Sequence, residues 1–163
     1  MDLAVRHVAN KDTVFIVARK ADHVTELQDL LIARGVAYND IYCVSHRKDA
    51  ITLSENAINS KAENKDTRIR RYKVVICSIA TNTGFSMQIC NVQISTVYMS
   101  NAASREQIKC RIKRLGSSFK EVRYVSVVCG RIQQLIAFRY DRDDSLASIL
   151  KDLAFGDVSL PIA

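Results

Sequence analysis

Residues 74–87 read VVICSIATNTGFSM, and the two halves of this stretch set the expectation for the whole chain. The first half, 74–80, is apolar or small at every position and rich in β-branched side chains. A strand with no alternation has no wet face, the pattern of a parallel strand covered on both sides. The second half gathers Thr81, Thr83, Gly84 and Ser86. A strand running into hydroxyls and a glycine puts hydrogen-bonding groups at the carboxyl edge of a parallel sheet, where ligands of open α/β folds bind. The same residues also make an ordinary tight turn.

Working outward, residues 13–18, TVFIVA, repeat the fully apolar pattern and predict a second buried strand. Asp22 can cap a helix running to about residue 34, with Val24, Leu27, Leu30 and Leu31 at core spacing and Gly35 supplying a left-handed stop. Residues 41–45 form a further candidate strand, followed by a polar helical stretch over 49–60. Residues 61–73 are charged and poor in apolar side chains; they read as a surface loop carrying Arg68, Arg70, Arg71 and Lys73, suited either to phosphate contact or simply to solvent. Beyond the opening stretch, 92–99 predicts a strand, 104–116 a helix, 122–129 a strand, and the residues after Gly130 a helical region to about 155. The alternation predicts an α/β fold: a mostly parallel sheet of five or six strands with helices on both faces. With no repeat or internal boundary visible, residues 1–163 read as one domain, of which 130–163 is a helical C-terminal extension.

Composition narrows the partners. The 163 residues are 48% hydrophobic, enough for a sizeable core, and carry a formal net charge of +7 with a pI near 9.3. Such a balance favours an anionic partner, nucleic acid ahead of membrane, since no polybasic amphipathic helix with aromatic flanks occurs. No run approaches the roughly 18 apolar residues of a membrane span, and no signal-peptide core opens the chain. Cys43, Cys77, Cys90, Cys110 and Cys129 are odd in number and lack CxxC spacing, so they read as reduced packing residues of an intracellular, soluble protein. His7, His23 and His46 are scattered without a ligand set, which excludes an evident metal site. No G-x-G-x-x-G follows a candidate strand, and no Ser-His-Asp or Cys-His constellation can be assembled.

Residues 104–116, SREQIKCRIKRLG, give the helix its chemistry. Helical spacing puts Gln107, Arg111 and Arg114 on one stripe and Ile108, Ile112 and Leu115 on another about 100° away. The apolar stripe would anchor the helix on the core and leave the two arginines pointing elsewhere; Lys109 and Lys113 take a third side.

The strand-plus-helix near the start, the strand ending in ATNTGFSM and the helix with Gln107, Arg111 and Arg114 resemble, in that order, motifs IV, V and VI of the second RecA-like motor domain of superfamily 2 helicases and translocases. Motif VI of that family has the form Q-x-x-G-R-x-x-R; this chain keeps the Gln and both Arg and has Cys110 at the Gly. Within the superfamily, residues 98–128 look most like Swi/Snf-type DNA translocases and the viral helicases and nucleoside triphosphatases related to them. The family's Gly-Gly-x-Gly-Leu-Asn-Leu in motif V is reduced here to Thr83-Gly84-Phe85-Ser86.

The resemblance implies a RecA-like three-layer sandwich. It also implies that Gln107, Arg111 and Arg114 act at a nucleotide, with Gly84 and Ser86 beside it, and that the two arginines serve as fingers. Arg19 in motif IV, Thr81 and Thr83 in motif V, and the basic residues Arg68, Arg70, Arg71 and Lys73 would contact nucleic acid, DNA ahead of RNA. The cofactor would be ATP with Mg²⁺, held mainly by an N-terminal RecA-like motor domain in cis or in trans. This sequence has neither a G-x-x-x-x-G-K-[ST] phosphate loop nor a D-E-x-H-type acidic motif, so no ATP hydrolysis is expected from it alone. The frame upstream of Met1, or a neighbouring gene, should encode the phosphate loop. Nucleus or cytoplasm is the expected compartment, or a virion. The competing expectation is a non-catalytic RecA-like module that binds nucleic acid or protein and keeps the motif VI helix only as structure.

Overall fold

The computed structural model describes residues 1–44, 72–81, 87–97, 102–113, 117, 119–128 and 130. The polar stretch 49–60, most of the basic loop, the centre of the opening turn, Arg114 to Gly116 and the region after Gly130 lie outside the described residues.

Five strands form one sheet: β1 Val14–Ala18, β2 Ile41–Val44, β3 Val74–Ser78, β4 Val92–Ser95 and β5 Arg123–Ser126. Their order is β2-β3-β1-β4-β5 and every pairing is parallel. The sheet therefore matches the α/β expectation. β1 and β3 are buried at all five positions, because each is flanked on both sides by another strand and covered on both faces. The strands at β4 and β5 end earlier than the apolar runs, at Ser95 and Ser126.

Helices cover both faces. α1 (Asp2–Ala9) and α2 (Ala21–Ile32) sit over the face formed by Val14, Ile16, Ala18, Val74, Ile76, Val92 and Ile94. α3 (Ala102–Lys109) sits over the other, where Ile108 packs with Phe15, Val17, Val75, Cys77 and Met87. This division follows from chain handedness. β1 crosses through α2 toward β2 on one side of the sheet, while β4 crosses through α3 toward β5 on the other, and right-handed crossovers running in opposite directions place their helices on opposite faces.

α1 was not foreseen in the sequence. It is held by Ala4, which is buried in the core, with Val5 and Val8 packed beside it, and an exposed ion pair joins Arg34 to Asp2 at 2.7 Å. Lys20, not Asp22, is the N-cap residue of α2, and it makes no side-chain cap bond. Asp22 instead lies inside the first turn, where its charge favours the helix dipole. Gly35 stops α2 as expected, with φ +88° and the amide of Val36 reaching back to Leu31 O at 3.1 Å. Val24 and Leu31 are buried, but Leu30 faces solvent.

Candidate functional site

Of the residues that the opening stretch pointed to, Thr81 is described, and it stands at the carboxyl edge of the sheet. Thr81 follows β3 in a single 3-10 turn, Ile79–Thr81. Its hydroxyl stands within donating reach of Ser78 O (3.1 Å) and Val44 O (3.3 Å), and it accepts from the Ser78 amide at 3.2 Å. Thr81 thus ties the ends of β3 and β2 together and is half-buried. Beside it, the amide and hydroxyl of Thr96 both donate to Val17 O at 3.0 Å, closing the gap between β4 and β1. Arg19 is exposed directly after β1. Arg19 and Thr81 therefore share one edge.

Lys73 does not join them. It precedes β3, so a five-residue strand of about 16 Å separates it from Thr81. At that amino edge its ammonium pairs with Asp40 at 2.7 Å. Arg68, Arg70, Arg71, Thr83, Gly84, Ser86 and Arg114 lie outside the described residues.

The helix carrying the basic stripe is shorter than its apolar pattern. α3 ends at Lys109, and the chain then tightens: the Arg111 amide donates to Ile108 O at 2.9 Å, a three-residue closure instead of a four-residue one. A tighter turn rotates each residue further around the axis than the 100° of an α-helix. Arg111 is thereby turned inward and only 6% exposed, while Gln107, within α3 itself, is exposed. Gln107 and Arg111 do not share the face that α-helical spacing gives them. Ile108 and Ile112 are buried, as that spacing predicts. Burial pushes the Cys77 thiol up, and the Arg111 guanidinium partly opposes the shift, which places this cation near the carboxyl end of β3. Arg111 O also accepts from the Met87 amide at 2.7 Å. The turn after α3 and the segment that follows β3 are thereby joined through backbone.

The four described cysteines are all free thiols. Cys77 and Cys90 are core residues, as expected; Cys110, two residues from both buried Ile108 and buried Ile112, lies on the opposite side and is exposed. Among the described residues no group of three His, Cys, Asp or Glu could hold a metal ion. None of the described helices is long and apolar enough to cross a membrane.

Sequence reasoning missed a polar lattice at the amino edge. Asn91 accepts from the Thr13 amide at 2.8 Å and donates to Asp12 at 2.6 Å, and Asp12 pairs with His7 Nδ1 at 2.8 Å. No spacing signal could have linked residues 7, 12 and 91.

No family model matches the chain. No curated protein matches it either. Among solved structures, the chain is similar to the crystal structure of the C-terminal part of the Fun30 ATPase domain, with a TM-score of 0.60 and 17% sequence identity over 81% of this chain. The fold is RecA-like. The chain spans 40% of the length of that structure's chain, so the likeness concerns the fold of one part of it.

Proposed function

We propose that this RecA-like chain is the second motor domain of an ATP-driven nucleic-acid helicase or translocase. The observation that supports the reading is the bond from Met87 N to Arg111 O, which joins the segment after β3 to the turn after α3 within a RecA-like sheet. A contact made by nucleic acid at the first segment would be felt at the arginine of the second.

In this reading ATP with Mg²⁺ is bound mainly by a separate domain and supplies the phosphoryl group to be transferred. The residues of this chain provide charge and position. Phosphoryl transfer is accelerated by cations fixed where negative charge develops, the task assigned to Arg111 and Arg114. Gln107, with Gly84 and Ser86, positions the surroundings of the nucleotide. Arg19 and Thr81 at the carboxyl edge, together with Thr83, contact the nucleic-acid backbone, and Arg68, Arg70, Arg71 and Lys73 add sequence-independent attraction.

One observation favours the second reading, a non-catalytic module that binds nucleic acid or protein. Arg111 is packed inward near Cys77 and does not stand out from the surface, as suits a structural cation. The two readings separate in a motor assembled from this chain and a phosphate-loop domain encoded with it. On the motor reading, Arg111→Ala and Arg114→Ala each lower nucleic-acid-stimulated ATP turnover by roughly 10³ to 10⁵, and the chain alone has no ATPase. Wild-type turnover in both variants leaves the binding module.

A further inference from the structure

The sheet face beneath α3 changes character from one side to the other. Register places Tyr42, Val75, Phe15, Gln93 and Tyr124 in one row across it, and Val44, Cys77, Val17, Ser95 and Ser126 in the next. Over β2, β3 and β1 these rows are apolar apart from the Tyr42 hydroxyl. Over β4 and β5 they become Gln, Tyr, Ser and Ser. β5 is at the edge of the sheet, but β4 is paired on both sides and its opposite face keeps Val92 and Ile94 buried. The polarity is therefore confined to one face of an interior strand, where an apolar pair would be the ordinary choice.

Above these positions lies a groove of about 40 Å³, lined by Gln93, Ser95 and Ser126 from the sheet and by Arg105, Lys109 and Tyr124 around it. The volume admits one functional group, not a whole ligand. Most of the polar lining is already engaged. Ser95 donates to Val97 O at 2.6 Å, Tyr124 donates to Lys109 O at 3.2 Å, and the Lys109 ammonium sits 2.8 Å from Glu106 and 6.0 Å from the Tyr124 ring centre. Gln93 is different. It is 5% exposed, and its Oε1 is buried without a hydrogen-bond partner. A buried acceptor in this state destabilises the fold relative to an apolar side chain of the same size.

An occupant that resolves this must bring an N–H or O–H donor to Gln93, and an anionic group carried with it would meet Arg105 and Lys109 at the wall, Lys109 in exchange for Glu106. We propose that the groove is a subsite for one nucleotide unit, its phosphate held by Arg105 and Lys109 and a donor of its base or sugar received by Gln93 Oε1. The choice of a nucleotide over other phosphate esters rests on the motor reading. The subsite lies over β4 and β5, on the far side of β1 from the Cys77 neighbourhood of Arg111, so it is separate from that arginine. Whether the unit belongs to a strand or is free, the chemistry recognised is the same.

The test uses the full chain with two probes, a fluorescein-labelled single-stranded 20-mer DNA followed by anisotropy and AMP followed by calorimetry, each at low and high salt. Gln93→Met keeps the size and removes the acceptor. It should melt no lower than wild type and bind at least one probe about tenfold more weakly, the effect of losing one hydrogen bond. Lys109→Ala, at the outer wall, should weaken the same probe and flatten its salt dependence; it carries the test if Gln93→Met does not fold. Loss confined to the 20-mer assigns the groove to a strand, and loss confined to AMP assigns it to a free nucleotide. If wild type binds the 20-mer and neither variant changes binding of either probe, the groove proposal is overturned while the motor reading stands. Binding of AMP that Gln93→Met abolishes, without binding of the 20-mer, keeps the groove and removes the nucleic-acid reading. Wild type that binds neither probe at low salt overturns both.

Discussion

The Met87 amide donates to the Arg111 carbonyl at 2.7 Å, so Arg111 holds its neighbours through its backbone and fills the core with its side chain. A surface arginine cut to alanine changes stability by about half a kcal/mol or less. Arg111 is buried, and its removal also leaves space beside Cys77. Arg111→Ala should therefore cost on the order of 1–3 kcal/mol in a denaturant melt of the chain alone. A loss below half a kcal/mol would show that the guanidinium is not packed inward in solution. Turnover in the assembled motor must then be compared at a temperature where both proteins are fully folded.

Ile112 gives the reference for that measurement. It is fully buried against the α3 side of the sheet with Ile108 and Met87. Ile112→Ala removes aliphatic atoms from a packed site and should cost on the order of 2–5 kcal/mol, lowering the melting temperature without acting specifically on turnover. A neutral Ile112→Ala would mean that the turn after α3 does not dock on the sheet.

The ion pair between Lys73 and Asp40, 2.7 Å long and partly exposed, bears on nucleic-acid affinity. A carboxylate beside the ammonium competes with any phosphate. Asp40→Asn should release Lys73 and raise the net positive charge by one, strengthening low-salt binding of a labelled oligonucleotide severalfold and steepening its salt dependence by about one counterion. An unchanged salt slope would remove Lys73 from the set of phosphate contacts.

The parts of this fold that were legible in the sequence were those with a local signal. Uninterrupted apolar runs gave β1 and β3, because a strand buried on both faces leaves no polar position to blur the pattern. Gly35 marked the end of α2 because a left-handed residue is cheap only for glycine. The apolar spacing of Ile108 and Ile112 located the buried side of α3. What the sequence hid was non-local. The exit from α3 into a tighter turn after Lys109 goes together with the inward docking of Arg111 near Cys77, and neither residue announces the other. α1 has a short, weakly apolar sequence and is fixed by the packing of Ala4, Val5 and Val8 on distant parts of the chain. The alternation of Val92, Gln93, Ile94 and Ser95 is present in the sequence, but its meaning depends on β4 being an interior strand.

Thiol reactivity offers a check on the same packing without any partner. Burial pushes the Cys43 thiol up to about 11, and it raises Cys77 and Cys90 as well, so these three should resist an aromatic disulfide reagent at pH 8 in the folded chain. Cys110 is exposed and should react in the fast phase. In a Cys129→Ser background, loss of that phase on adding Cys110→Ser tests the assignment, and fast labelling of Cys77 or Cys90 would contradict the β3 core.

The amino-edge lattice makes the last prediction, about acid stability. Burial by itself raises the Asp12 carboxyl, but the hydrogen bonds from His7 and Asn91, with the charges of His7 and Arg123, outweigh it and leave the group below the usual carboxylate range. A carboxyl whose folded value is depressed stabilises the native state at pH values above its unfolded value, about 3.9. That contribution is lost as the pH falls through the folded value. Asp12→Asn should therefore melt below wild type at pH 6, and the gap should close as the pH is lowered past about 3.9 toward the lower folded value. Asn91→Ala acts on the same lattice from the other side. It removes the acceptor of the Thr13 amide and the donor to Asp12, and should cost on the order of 1–3 kcal/mol near neutral pH. Because Asp12 and Asn91 share a bond, the double variant should lose less than the sum of the singles. Additive losses, or a gap for Asp12→Asn that widens in acid, would mean that the lattice does not hold Asp12 ionised and that the first turn before β1 is secured by α1 alone.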